Sequence, residues 1–541
     1  MKSNDKRKKI NIFLLATLLL LIISITLFAC EKDISTHKGS IEVPITNLSD
    51  LRSISDKLGE DYDEALFVLK NDITVSLEDA WQPLGSDIDN SFRGTFDGRG
   101  KKITIEAETG VTSGLKYFGL FGYIYGATIK NLKLEVKYDI ETAEKMTYVG
   151  GLAGYAFGEV ILESIDVSGE IRPLAAIETH EIPGGTELLI DKEIFAGGIL
   201  GYGIGGFLIE DIDLNIDILI DEEWKIDYTQ NNGFNKIFAG ALAGYLRTPD
   251  ISTTNSIRNR IKDINSQSKI DVTGLNVYAG GIIGMIYNSD MLNFKVEYSG
   301  TDSKMLTVNG SNHTYAGGAF GLIDNCIVNN VDVEITIQVK PTGETNTAKS
   351  FGGIAGYVNN DSTLSIISYN GDIYSNVSST AQAFAGGIAG TLSNSSISQA
   401  DVGNRGNYGF VINDIKTDAT GYYQLFINGA YTSYMLVDFA GAIGRIYGKS
   451  RIENVTVDFL AYQGVVSNVS SSIEVTTEND EPVSVDTKDA PIIGTDVYYY
   501  SDKVVGKIYS EKNPGSTDTK KLWNEIGTEK ERDPIEESLE I

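Results

Sequence analysis

The sequence predicts an all-β protein: a right-handed parallel β-helix of about nine to ten coils, with a small N-terminal cap of one helix and one strand. Three observations predict it. A short glycine string returns nine times, each return leads to a phrase that alternates apolar and polar residues, and helical spacing appears nowhere in these units.

The chain begins with a separate object. Lys2, Lys6, Arg7, Lys8 and Lys9 form a basic start, and Ile10 to Phe28 is a nearly unbroken apolar run. This reads as an export signal, the alternative being an uncleaved membrane helix, since the run is near the ~20 residues that span a bilayer. The residues that follow, Leu27, Phe28, Ala29 and Cys30, look like a bacterial lipobox. That makes residues 1–29 a lipoprotein signal peptide and Cys30 the point of lipid attachment, for palmitate or a similar acyl chain. Removing residues 1–29, with five Lys/Arg and one Asp, takes the formal net charge from −29 to −33. So much negative charge argues against nucleic acid, whose phosphates need Lys and Arg. The remaining cysteine, Cys326, has no partner and reads as a small buried apolar residue.

Residues 30–45 show no clear pattern and read as a tether, and 46–100 as the N-terminal cap and lead-in strands. Within the cap, SDLRSISDKL (49–58) places Leu51, Ile54 and Leu58 on one helical face, with Ser49 or Asp50 as N-cap. ALFVLKNDITV (65–75) follows as a strand.

The β-helix itself is expected over 101–509. Its glycine strings are YFGLFG (117–122), YVGGLAG (148–154), FAGGILG (195–201), FAGALAG (238–244), YAGGIIG (278–284), YAGGAFG (315–321), FGGIAG (351–356), FAGGIAG (384–390) and FAGAIG (439–444). Between final glycines the steps are 32, 47, 43, 40, 37, 35, 34 and 54 residues, so equal rungs are joined by unequal loops. The second phrase appears as IKNLKLEV (129–136), IEDIDLNIDI (209–218), IKDINSQSKIDV (261–272) and IENVTVDF (452–459). Its period of two means a half-buried strand. One such unit buries little alone, whereas stacked units pair their strands and share one core. Nine coils at ~4.8 Å give an axis of roughly 43 Å, and the crossover rule makes the winding right-handed.

Stacking puts equivalent residues above one another. A glycine column is expected at Gly119, Gly150, Gly197, Gly240, Gly280, Gly317, Gly352, Gly386 and Gly441, where the backbone bends or a facing wall comes close. A ring column is expected at Phe195, Phe238, Tyr278, Tyr315, Phe384 and Phe439, pointing inward with the Ile or Leu two residues past the first glycine. Asn131, Asp211, Asp263 and Asn454 are expected at bends, where Asn and Asp tolerate the left-handed conformation. PIIGTDVYYY (491–500) reads as a last coil, 467–490 as a loop or a β-excursion, and 510–541 as a charged tail or cap with a helix near Lys520 to Ile526.

The glycine strings resemble the GLUG repeats of bacterial surface proteins. WQPLG (81–85) and FRGTFDGRGKKI (92–103) resemble the segment that precedes such repeats. The resemblance covers about 46–509 and implies a β-helix on an exported, adhesin-like or peptidase-associated protein. This chain departs from it in its long inserts, 171–194 and 403–436, and carries no peptidase motif.

Motifs for chemistry are weak. HEIPG (180–184) lacks the second His that a zinc helix needs four residues on, and only His37, His180 and His313 exist. GYGIGG (201–206) precedes a strand, not the helix of a phosphate loop. YGKS (447–450) has Ile443 where a P-loop has its first glycine. Asp166, Asp213, Asp217 and the acids at 221–223 fit the carboxylate pattern of β-helix polysaccharide lyases or hydrolases, but solvent-facing alternation explains them as well. Asp87 and Asp89 leave room for a weak calcium site; no other metal or cofactor is expected.

The expected function is that of a lipid-anchored protein of the cell surface or outer membrane, no enzyme, whose rigid scaffold presents loops to a host or neighbouring-cell protein or glycan. The best loop is the tyrosine-rich insert 403–436, with Tyr422, Tyr423, Phe426, Tyr431 and Tyr434. A polysaccharide lyase or glycoside hydrolase on the same fold, and a passive coat, are the alternatives.

Overall fold

The computed structural model describes the backbone of residues 41–522 apart from connecting segments, the longer being 222–234, 250–257, 298–305, 340–348, 376–382, 463–471, 487–496 and 511–520. It describes side chains as far as residue 400, apart from 142, 175–191, 374–383 and 399, and that of Ile443.

Each coil is built from three strands. In one coil these are Glu193–Gly197, Leu200–Ile204 and Leu208–Asp221. Equivalent strands from successive coils pair in parallel and form three sheets, here the glycine sheet, the middle sheet and the broad sheet. The glycine and middle sheets have nine strands each. The protein is a parallel β-solenoid.

The alternation in the sequence becomes the inside and outside of the broad sheet. Along Leu208–Asp221, Ile209, Ile212, Leu214, Ile216, Ile218 and Ile220 are buried, and the residues between them face solvent or lie part-buried. In the glycine sheet Ile194 and Ala196 point into the same core, joined by Ile199 and Leu200 beyond the turn. One hydrophobic column therefore runs through the coils whose side chains are described, and burial of such side chains at ~25 cal/mol per Å² is its main stabilisation.

The broad strands bend at one residue each. Asn131, Ser164, Asp211, Asp263, Asn293, Asn330 and Ile366 have φ between +54° and +60°. Pairing skips them and resumes beyond, as from Glu163↔Glu210 to Ile165↔Ile212. Their polar side chains link coils: Ser164 Oγ donates to Asp211 (2.6 Å), Asn293 Nδ2 to Asp263 (2.9 Å) and Asn330 Nδ2 to Asn293 (2.6 Å). Asn131, Asp211 and Asp263 thus sit at the bends; Asn454 occupies the same skipped position between Glu453 and Val455. A second polar file lies inside. Phe207 N–H donates to Asn259, Asn259 Nδ2 to Ser289 Oγ, and Cys326 N–H to Ser362 Oγ. Cys326 is fully buried in it, and burial pushes its thiol up to about 12.

The cap differs from expectation in three details. The helix is Leu48–Arg52, and its N-cap is Asn47, not Ser49 or Asp50: Asn47 is extended and its side chain accepts from Asp50 N–H. The stretch 65–75 makes two strands, Leu66–Leu69 and Ile73–Val75. The tether region ends in a strand of its own, Glu42–Ile45, paired with Leu66–Leu69. The strand carries Pro44, and among the described residues it pairs on one side only, where a missing N–H costs little. Trp81 seals the first glycine turn by donating from Nε1 to the Gly119 carbonyl at 2.9 Å.

At the other end the last rung is Val505–Ser510, paired with Arg451–Tyr462. Of the stretch 491–500, expected as the last coil, Val497 and Tyr498 are the described residues. Val497–Tyr498 instead joins the hairpin of Ser472–Thr476 and Pro482–Asp486, a β-excursion from the solenoid. Lys521–Leu522, at the start of the expected helix, is a strand antiparallel to Val505–Ser510.

Candidate site: an aromatic corner groove

The glycine column is in file. Gly150, Gly197, Gly240, Gly280, Gly317, Gly352 and Gly386 stand opposite one another through successive coils, with Gly119 one step beyond the Phe118↔Val149 pair. The file requires glycine because the chain folds sharply there. A Cβ on Gly197 would lie 2.2 Å from the Leu200 carbonyl oxygen, and one on Gly201 would lie 2.9 Å from the Phe195 carbonyl oxygen.

The fold is sharp towards the outside, and this corrects the expected place of the rings. Ile194 and Ala196 take the inward positions of the strand, so Phe195 between them points out. Tyr148, Phe195, Phe238, Tyr278 and Tyr315 form an outer file with Tyr117. The most nearly parallel pair is Phe195 and Phe238, with centroids 4.8 Å apart at 2°.

A second file faces the first across the turn. It comes from the residue after each string's last glycine: Tyr123, Tyr155, Tyr202, Tyr245, Met285, Leu322 and Tyr357. Outward side chains seven residues apart therefore touch, Tyr148 with Tyr155 at 5.3 Å and Phe195 with Tyr202 at 5.0 Å, edge to face. Such contact requires a re-entrant corner between the glycine and middle sheets. The result is an aromatic groove parallel to the axis, seven coils long, or about 29 Å at ~4.8 Å per step.

Ring pairs of this kind add ~0.5–1.5 kcal/mol each beyond burial. Burial also holds the phenols in their neutral form. It pushes Tyr123 and Tyr245 up to about 12, with the neighbouring tyrosines adding to the effect, and raises Tyr148, Tyr155 and Tyr315 further. Tyr117, Tyr155, Tyr202, Tyr245, Tyr278, Tyr315 and Tyr357 remain part-exposed. Few charges touch the groove: Lys116 lies over the Tyr117 and Tyr148 rings, Lys236 pairs with Glu193 at 3.1 Å, and Arg247 hydrogen-bonds to Tyr202 and Tyr245.

Position in a string decides whether a ring joins the groove. In FGGIAG the string is one letter short, so Ser350 falls opposite Tyr315 and Phe384, while Phe351 falls in the inward file and is fully buried. The same shift removes two expected members of the columns. Phe439 stands opposite Ala385 rather than Phe384, and Ala440, not Gly441, stands opposite Gly386. Gly441 itself lies outside the described residues. Past Tyr357 the two files change character, where Ser350 and Thr391 hydroxyls bond to each other at 2.7 Å.

The other candidates do not converge. Asp166 pairs with Lys133 at 3.0 Å, Asp213 accepts from Asn265 Nδ2 at 3.0 Å, and Asp217 stands opposite Lys269. Asp87 spends its carboxylate on its own loop, accepting from Ser86 Oγ, Asp89 N–H and Asn90 N–H; these bonds, the Asn90 backbone first, lower its pKa. His180 is in a β-hairpin opposite Leu188, and Gly201 to Ile204 belong to a strand. Among the described residues no group of three or more His, Cys, Asp or Glu is placed to hold a metal ion. Cys30 lies outside the described residues, as do Tyr422 and Tyr434. Tyr423–Ile427 and Ala430–Thr432 form an antiparallel pair with Phe426 opposite Tyr431, but the side chains of Tyr423, Phe426 and Tyr431 lie outside the described ones.

No family model, curated protein or solved structure matches the chain. The likeness to GLUG repeats rests on the strings themselves.

Proposed function

We propose that the chain is an exported lipoprotein, anchored through Cys30, whose solenoid is a rigid binding scaffold at the cell surface. The export signal, the lipobox-like LFAC and the likeness to GLUG-repeat surface proteins support the location. One observation carries the binding role: the aromatic groove is continuous over seven coils, apolar on its floor and hydroxyl-bearing. It reaches solvent through the part-exposed Tyr117, Tyr155, Tyr202, Tyr245, Tyr278, Tyr315 and Tyr357, and a contiguous apolar stripe that meets solvent marks an interaction surface. The binding surface is thus the scaffold's own corner, in place of the 403–436 insert as the leading choice, and the ligand is a protein or glycan of a host or neighbouring cell. Protease treatment of intact cells tests the location: the chain is expected to be cleaved from outside, and full protection overturns the reading. Capture of cells by immobilised glycans and matrix proteins tests the binding. Retention is expected with the native chain, and equal retention of cells lacking it counts against the role.

A further inference from the structure

Building on that binding role, we propose that the groove holds one uncharged polysaccharide chain laid along the solenoid axis. The floor is Tyr, Phe, Met and Leu, Glu193 and Lys236 neutralise each other, and the charges that touch the rings are Lys116 at one end and Arg247 at one side. A polyanion meets two cations along the rings, Lys116 and Arg247, against a chain of net charge −29, which repels it.

The backbone argues against an extended peptide. Peptides of that kind bind by adding a strand to a free sheet edge. Along the groove the strands run across its length, and Glu193–Gly197 and Leu200–Ile204 are each paired on both sides. No edge is offered, and a peptide's amides find only phenols. The shape argues against a second copy, because two re-entrant corners cannot fill each other.

A neutral glycan fits what remains. Its hydroxyls donate and accept, as phenol hydroxyls do, and the buried phenols stay protonated. The rings of the outer file cover one another's faces, so recognition falls to ring edges and hydroxyls. The coil spacing of ~4.8 Å is close to the advance of one pyranose unit, so like hydroxyls meet like phenols coil after coil.

The test is titration of the full chain, in detergent micelles, with neutral 1,4-linked glucan and mannan oligosaccharides of two to eight units, with polygalacturonate and with a Ser/Thr-rich peptide. Affinity for one neutral series is expected to rise with length and to be unchanged by salt. The double variant Tyr155→Phe, Tyr315→Phe keeps both rings and is expected to bind about tenfold more weakly with an unchanged melting temperature. Undiminished binding by that variant, preference for polygalacturonate, or no binding across the neutral series overturns the proposal. If the chain is protease-accessible on cells and captures a protein instead, the glycan is wrong while the binding role stands.

Discussion

The corner groove and the outer face of the broad sheet are both made by repeating one residue position through successive coils, yet they are held differently. On the broad sheet the repeated positions carry Lys133, Asp166, Asp213 and Asn265, whose contacts are single pairs in water; Lys133 and Asp166 are each about half exposed. Such pairs are worth ~0–1 kcal/mol. In the groove the repeated positions carry rings that shield one another, with Tyr148, Phe195 and Phe238 at 5%, 3% and 5% exposure. The lesson is that an outward position becomes energetically important only where the surface turns back on itself.

Substitutions can break or sharpen that contrast. The largest effect is expected at the turn that makes the corner. Gly197→Val drives a side chain into the Leu200 carbonyl and the next coil. A loss above ~4 kcal/mol or failure to fold is expected, and a melting curve like the native one removes the account of the corner. Phe195→Ala comes next: ~3 kcal/mol in denaturant unfolding, at the low end for a buried ring because its site faces outward. Ile366→Asn should act in the opposite sense. Ile366 is a β-branched residue at φ +54° and 49% exposed, in a file otherwise held by Asn, Asp and Ser. A gain of ~1 kcal/mol is expected from relief of that conformation. Lys133→Gln should change stability by less than ~0.5 kcal/mol, and a larger change erases the contrast between the two surfaces.

Titratable groups on each side of the glycine sheet predict a pH signature: Lys349 in the inward file, opposite Thr314, and the phenols of the groove. Burial lowers Lys349 from 10.5 to about 8. Between those values the unfolded chain binds the extra proton, so stability rises with pH. The buried phenols have the opposite sign. Tyr123 and Tyr245 move from 10 to about 12, so above pH 10 the unfolded chain loses protons that the folded one keeps, and stability falls. Denaturant midpoints are expected to rise from about pH 8 to 10 and then decline. Lys349→Met should remove the rise and keep the decline.

The coil and its register were legible because they depend on repeated local patterns. The alternation at Ile212, Leu214, Ile216 and Ile218 can mean only a half-buried strand, and the glycine string marks a fixed point in each turn. The direction of the rings was not legible from the string. Parity within Glu193–Gly197 permits Phe195 either side until the bend at Gly197 is known, and that bend arises from contacts between strands. The second ring file did leave a trace. Tyr follows the last glycine at 123, 155, 202, 245 and 357, outside the boundaries of the recurring string but in step with it. The strand at Glu42–Ile45 was not legible because four residues are too few to show a period, and its place is set by pairing with Leu66–Leu69.

The one-letter shortening at Ser350 and Phe351 gives a single codon unusual reach. Deleting or inserting one residue ahead of a glycine pair swaps what the coil shows the outside world for what it keeps within, and leaves the winding intact. A one-residue change in a loop can therefore extend, interrupt or truncate the contact surface of this chain, as the coil of Ser350 and Phe351 does, with no change of fold.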